Sequence, residues 1–398
     1  MSNFFSSFII FLSNNWKIIS FYLFIVLLIY LNRKKFEFQA KIIALYKTQV
    51  GIKWMDKIAR FSPRFWKTWG YFGIGIGFIG MVFISYILIK GFLDLVFNPS
   101  MPAAVGIVLP GVRIPGAAIF VPFWYGIISI FIVAFIHEFA HGVMARVYNM
   151  EVKSSGIVFF GPLIGAFVEP DEKDLKEKPK IEQMSVFAAG PFSNICLGVV
   201  VLLLSFLVLF PAAGAIIEPS GVTITNAFAD HPALEAGMGG GEIISNIDGV
   251  DIVSLDALTV QLSEKNPGED INIVTDKGEY DFVLGENPEN ASKAYMGLGL
   301  DQKNGIKKDV VAKYGSFFPG LIFVFIELFQ WLFMLTLGIG LFNLLPLGIV
   351  DGGRMLQIAL CKVMDEKRAN VIWRNISLAF FLIVLFNVFF PLIRGIIS

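Results

Sequence analysis

The residues best suited to chemistry in this 398-residue chain are two histidines and a glutamate in the run FIHEFAHG, residues 135–142. On a helix, His137 and His141 stand four residues apart, so their imidazoles project from one face and can share a metal ion, with Glu138 beside it. This is the His-Glu-x-x-His spacing of zinc hydrolases, whose glutamate takes a proton from a metal-polarised water so that a carbonyl can be attacked. The pattern is short, and its setting adds weight. A charged group at the centre of a membrane helix costs roughly 2.5–3.5 kcal/mol on insertion scales, so ionisable residues in so apolar a segment call for a function. The competing reading is a helix end whose polar groups reach the interface or a water-filled cleft.

Further along, Asp351 follows the run NLLPLGIVDGG, which starts at Asn343; there Pro346 and Gly348 break a helix at a depth where charge is still costly. Catalytic zinc commonly has three protein ligands and an open position for water, and His137, His141 and Asp351 would complete such a set. Two histidines and one carboxylate suit Zn2+ among divalent ions. Asp351 also fits a helix N-cap ahead of the pattern from Arg354 onward. Asn194 ends the run GPFSN, in which Gly190 and Pro191 are expected to interrupt a membrane helix. In lipid this amide needs a partner, either the backbone groups freed by the proline or a substrate.

The elements that position these residues are read as membrane spans. With 56% hydrophobic and 16% charged residues the chain is polytopic, and a formal net charge of zero gives no electrostatic case for nucleic acid. Cys196 and Cys361 sit in or beside apolar segments and read as packing residues, which excludes a disulfide scaffold or cysteine-rich metal site. His231, the remaining histidine, reads as a surface loop residue. About six transmembrane helices are expected, at 16–31, 71–96, 123–147, 184–210, 320–345 and 371–393. No basic stretch precedes the first apolar residues, so a cleaved signal peptide is not expected. The Lys- and Arg-rich loop 33–67 reads as cytoplasmic, which places both termini outside. His137 then lies roughly 20 Å below the outer end of its helix, toward the cytoplasmic side.

Between the spans, residues 98–122 are punctuated by prolines and glycines, and the flanks of PGVRIPG suggest an outer β-hairpin. A second hairpin is expected after Arg146, turning at Gly161-Pro162, ahead of the solvated charge run 171–180. Its open edge suits the addition of an extended peptide as a further strand, and a purely structural hairpin is the alternative. From 211 to 317 the composition becomes that of a soluble α+β domain, with short β-like runs around the helical pattern SLDALTVQL.

The stretch HPALEAGMGGGEIISNIDGVDI resembles the PDZ domains of bacterial membrane and periplasmic proteases. If the resemblance holds, Leu255, Leu258 and Leu262 line a peptide groove and residues 296–300 supply backbone donors; the alternative is that the leucines are only core. The order of HEFAH, GPFSN, a PDZ-like insertion and NLLPLGIVDGG resembles the site-2 protease family of intramembrane zinc metalloproteases. Val350 is a small departure from the leucine usual there. The resemblance implies regulated cleavage of single-span membrane proteins within the lipid bilayer, in a prokaryotic cell membrane. By matching position, His137, His141 and Asp351 would bind zinc, Glu138 would be the general base, and Asn194 and Asn343 would hold the substrate backbone or the developing oxyanion. The domains would run 1–122 (N-terminal spans and hairpin), 123–212 and 304–398 (catalytic core), and 213–303 (an extracytoplasmic PDZ-like filter). Other classes compatible with the sequence are a catalytically silent peptide-binding adaptor and a transporter; the latter is weakened by the absence of an internal repeat.

Overall fold

The computed structural model describes residues 2–39, 43–114, 119–160 and 163–397, in two compact units: Met1–Ser205 with Glu327–Ser398, and Phe206–Ile326. The first unit opens with α1 (Ser2–Leu31), which continues through Ser13-Asn14-Asn15. The basic stretch read as a loop then carries two strands and a helix: β1 (Glu37–Gln39), β2 (Ile43–Thr48) and α2 (Ile52–Phe61). Helix α3 (Pro63–Phe97) starts with a proline at its first position, where a missing N–H is harmless. Its glycines form a packing face. A Cβ on Gly70 or Gly73 would press on Ser185 or Phe192, and one on Gly77 or Gly80 on Met355 or Leu344. Small residues here let neighbouring helices approach closely.

The outer hairpin expected within 98–122 is absent: no described residue there is in a strand, and 115–118, part of its turn and flank, lie outside the described residues. Proline removes ladder donors from this stretch, and Gly111, at φ 78°, donates its N–H to the Val121 carbonyl at 2.8 Å, closing a loop instead. Helix α4 (Phe123–Val147) follows, then β3 (Val152–Phe160) and β4 (Leu163–Pro170). The expected second hairpin is thus half of a four-stranded antiparallel sheet, ordered β1-β2-β3-β4, whose last strand packs on α4. Its turn at Gly161-Pro162 lies outside the described residues.

Helix α5 (Glu172–Glu177) sits on the charge run, capped by Asp171, which accepts from the N–H groups of Lys173 and Asp174. Helix α6 (Lys180–Leu204) runs straight through Pro191, contrary to the expected interruption. Its residues from Ser185 to Phe192 are largely buried among α3, α4 and the C-terminal helices, and this packing holds the helix where one hydrogen bond is lost. A π turn, Ser205–Leu209, leads into α7 (Phe210–Ile216).

In the second unit, β5 (Ile217–Ala227), α8 (Pro232–Glu235), β6 (Ile243–Ile247), β7 (Val250–Asp251), α9 (Leu255–Ser263), β8 (Asp270–Thr275), β9 (Glu279–Val283), β10 (Gly285–Asn287), β11 (Asn290–Tyr295) and β12 (Leu298–Ile306) precede α10 (Lys308–Tyr314). Its main sheet is ordered β12-β5-β6-β8-β9, with β7 paired to β6. The core joins Ile224, Ile244, Ile273 and Leu258, and Leu255 and Leu262 pack on it. Alternation along β5, β6 and β8 sends these residues to one side, as a half-buried sheet requires. Strand β12, which begins within residues 296–300, is an edge strand of the sheet.

The chain then continues through α11 (Phe317–Phe342), α12 (Asp351–Val363) and α13 (Glu366–Ile397). Asp351 is the first residue of α12 and does not cap it; Val350 holds the flanking position. Five helices among the described residues are long and apolar enough to cross a membrane: Pro63–Phe97, Phe123–Val147, Lys180–Ile216, Phe317–Phe342 and Glu366–Arg394. Where six spans were expected, the apolar part of α1, Asn15–Leu31, is shorter than these five.

Candidate metal centre

One turn of α4 separates His137 from His141, whose rings meet edge to face with centroids 4.8 Å apart. Asp351 Oδ2 lies 3.0 Å from His137 Nε2 and 3.4 Å from His141 Nε2, and the three side chains are 8%, 11% and 15% exposed. The turn between α11 and α12 brings the aspartate in from far along the chain. Gly352 donates its N–H to the Asn343 carbonyl at 2.7 Å, and a Cβ at Gly352 or Gly353 would collide with the Leu344 or Leu347 carbonyl. Only glycine permits so close a backbone approach. From α13, Trp373 Nε1 donates to the Gly353 carbonyl at 2.8 Å, and its ring lies against Gly348. The indole therefore braces the start of α12.

The remaining ring nitrogens are held as well. His141 Nδ1 is 2.7 Å from the Val186 carbonyl of α6, so it carries the proton and leaves a lone pair on Nε2. His137 Nδ1 faces the amide of Asn194 at 3.1 Å; Asn194 is fully buried, and its Oδ1 has no partner. With the amide turned over, Nδ1–H donates to Oδ1 and that orphaned acceptor is satisfied. Both histidines then present Nε2 lone pairs toward the carboxylate. Donors sharing one tetrahedral ion through bonds of about 2.0–2.2 Å stand about 3.3 Å apart, close to the two separations observed here. Gly190 completes the cradle: a Cβ there would fall 2.6 Å from His137 Nε2 and also against His141 Nε2. The donor set and its surroundings fit a divalent metal.

Glu138 stands beside this group, and its Oε2 accepts the N–H of Val168 on β4 at 3.1 Å. The Asn343 amide donates back to the Ile339 carbonyl at 3.1 Å, and its backbone carbonyl serves the turn that carries Asp351. Asn194 also binds Thr336 through its backbone carbonyl, at 3.0 Å. The sequence did not flag the Val186 carbonyl, the Val168 N–H or Trp373, and it flagged Gly190 only as part of a helix interruption. At the end of α4, Arg146 pairs with Asp56, tying α2 to the helix that carries the histidines. This hydrogen bond holds the Asp56 carboxyl below its ordinary range.

Apolar helices of spanning length around a His-Glu-x-x-His helix and an incoming aspartate define an integral membrane protein of the metallopeptidase class. The profile of Peptidase family M50, the site-2 protease family, matches residues 125–385, and the chain belongs to that family. An uncharacterized protein of Methanocaldococcus jannaschii, MJ0971, is 26% identical over 317 residues, covering 78% of this chain and 76% of its own length. Among solved structures, the PDZ domain of an SdrC-like protein from Listeria monocytogenes matches at 22% identity and a TM-score of 0.19, over 20% of this chain and 87% of its own. A solution structure of GtR34C from Geobacillus thermodenitrificans matches at 26% identity and a TM-score of 0.18, over 19% and 92%.

Proposed function

We propose that the protein is an intramembrane zinc metalloprotease of the site-2 type, cutting single-span membrane proteins in regulated proteolysis. The observation that carries the reading is the convergence of His137, His141 and Asp351, whose donor atoms all lie within 4.8 Å of one another, with Glu138 next to them. His137, His141 and Asp351 would hold Zn2+. When bound, the ion supplies a Lewis acid that polarises the scissile carbonyl and lowers the pKa of water to about 7.

The chain's own residues do the rest. Glu138 takes the proton of the attacking water and delivers it to the leaving nitrogen. Asn194 and the Val186 carbonyl hold Nδ1 of the two imidazoles, leaving each Nε2 toward Asp351, where the metal would be held. A helical substrate must unwind before it is cut, and the outer edge of β4 is suited to receive it. Because the Val168 N–H points away from β3, antiparallel alternation turns the N–H and C=O groups of Ala166 and Ile164 outward too. Asn343 is a further substrate contact in this reading. The second unit, as a PDZ-like domain outside the cell, filters substrates by size or terminus, and the active site lies toward the cytoplasmic side of a prokaryotic membrane.

The test is reconstitution of the purified protein in bilayers with a broad panel of single-span substrates, beside a Glu138→Gln variant that still binds metal. Cleavage by the first and a loss of at least a hundredfold in the second is expected, within the range of general acid–base catalysis. Equal cleavage by both, or none by either, overturns the proposal.

A further inference from the structure

Beside Glu138, the face of the β2-β3-β4 sheet stands off from α4 and leaves a cavity of about 340 Å3. The register sets Tyr46, Ile157 and Ala166 in one row across the sheet and Thr48, Ser155 and Val168 in the next. Both rows share a face, because alternate residues of a strand point the same way. Opposite them, Phe131, Phe135 and Glu138 follow at spacings of four and three, one side of α4, with Phe139 stacked on Phe135 at 5.6 Å. Two of the sheet's hydroxyls are already engaged: Thr48 donates to the Ser155 carbonyl at 3.0 Å, and Ser155 to the Val50 carbonyl at 2.5 Å. The one carboxylate in the lining is that of Glu138.

We propose that this cavity is the subsite for the substrate side chain next to the scissile bond, that it selects a large apolar residue there, and that Ala166 sets its depth. The inference rests on the protease reading, since Glu138 is what ties the cavity to the reaction. A base that deprotonates the attacking water lies within hydrogen-bond reach of the reacting centre, so the neighbouring side chain is held close to the same carboxylate. A chain added along β4 sends alternate side chains to the face that the cavity opens on. The volume lies at the small end of ligand pockets, about 300–1,000 Å3, and leaves room for a side chain as large as Leu, Phe or Trp. Phe131, Phe135, Phe139, Ile157, Ala166 and Val168 make most of the wall apolar, so a polar side chain would give up water for few partners there.

The experiment uses the full-length protein and a peptide series differing only at the position flanking the cut: Gly, Ala, Leu, Phe and Trp. Cleavage is read by mass spectrometry, and affinity for the Glu138→Gln protein by fluorescence anisotropy. Wild type is expected to favour Leu and Phe over Gly about tenfold or more. Ala166→Phe fills the cavity and should invert that ranking toward the small side chains. Phe135→Ala, at a residue 47% exposed, enlarges it and should move the ranking toward Trp, so a folding failure of one variant leaves the other decisive. An affinity ranking that shifts in these directions supports the subsite even if no peptide is cut, an outcome that would count against the protease reading alone. Cleavage by wild type with a ranking that neither variant moves overturns the subsite and leaves the protease standing. The same holds if a lipid acyl chain occupies the cavity, because the ranking then stays flat.

Discussion

His137 is held at both ring nitrogens, by Asp351 on one side and the buried amide of Asn194 on the other. A side chain so placed would act on a bound metal through the imidazole. Asn194→Ala is expected to weaken zinc binding about 10- to 100-fold, the usual cost of losing such a partner, with the helices intact; competition against a fluorescent chelator measures it. Asn194→Asp, which keeps an acceptor for Nδ1–H, should recover most of the affinity. An unchanged affinity in both would return Asn194 to the role of substrate contact. His137, Glu138 and His141 stood out in the sequence by their types and spacing, and Asp351 by its charge in an apolar setting; the structure brings the two histidines and Asp351 together. The Val186 carbonyl did not stand out, because it acts through its backbone and leaves no mark in residue type; Gly190 was visible as a glycine, but what its missing side chain makes room for was not. Gly190 and Pro191 drew attention as a helix break, which packing around α6 suppresses.

At the scale of elements, the start of α12 depends on α13. Trp373→Phe keeps the ring that packs on Gly348 and removes the hydrogen bond to Gly353; a neutral hydrogen bond contributes about 1 kcal/mol. Zinc affinity should fall roughly fivefold, while the peptide-bond region of the circular dichroism spectrum stays unchanged. No change in affinity would mean that the glycine contacts alone fix Asp351. The sheet was only half legible. Alternation announced β3 and β4, whereas β1 and β2 lie in a stretch whose lysines and arginines read as a cytoplasmic loop. Those charges are compatible with strands because Lys47 bridges Glu37 and Glu169, at 2.9 and 3.2 Å. The hairpin expected between α3 and α4 failed for the opposite reason: apolar β-formers were present, but proline denied them a ladder.

On the scale of the whole molecule, the second unit carries its own pH sensitivity. Glu242 is 3% exposed; burial pushes its carboxyl up, but hydrogen bonds from Thr275, Gly239 and Tyr280 outweigh that and hold it below the ordinary range. A lowered folded value means stability that is complete above the unfolded carboxylate pKa of about 4.3 and is lost as pH falls through the folded value. Hydrogen exchange on the full-length protein should therefore show β6 and β8 amides protected at pH 7 and progressively exposed below about pH 4. Glu242→Gln should weaken protection at neutral pH and flatten its pH dependence. Protection factors in these strands, taken against intrinsic exchange at each pH, that stay constant across about pH 3–7 in the wild type would count against the assignment.

Helix α3 supplies none of the reactive atoms, yet it touches both structures that hold them. Gly70 and Gly73 meet α6, which carries Gly190 and Asn194, while Gly77 and Gly80 meet the turn and helix that carry Asp351. The separation between the histidine-holding and aspartate-bearing parts is therefore gauged by one bare helical face. In a map of mutational tolerance, this chemically silent face should rank with the ligands. Gly77→Ala and Gly80→Ala, whose methyl groups would displace the ends of the Met355 and Leu344 side chains, are expected to lower zinc binding in protein that still inserts and folds, measured by metal content after purification. Full metal content in both would show that the helices can spread by a methyl group without moving Asp351. A cofactor site can thus owe its calibre to residues that have no side chain at all.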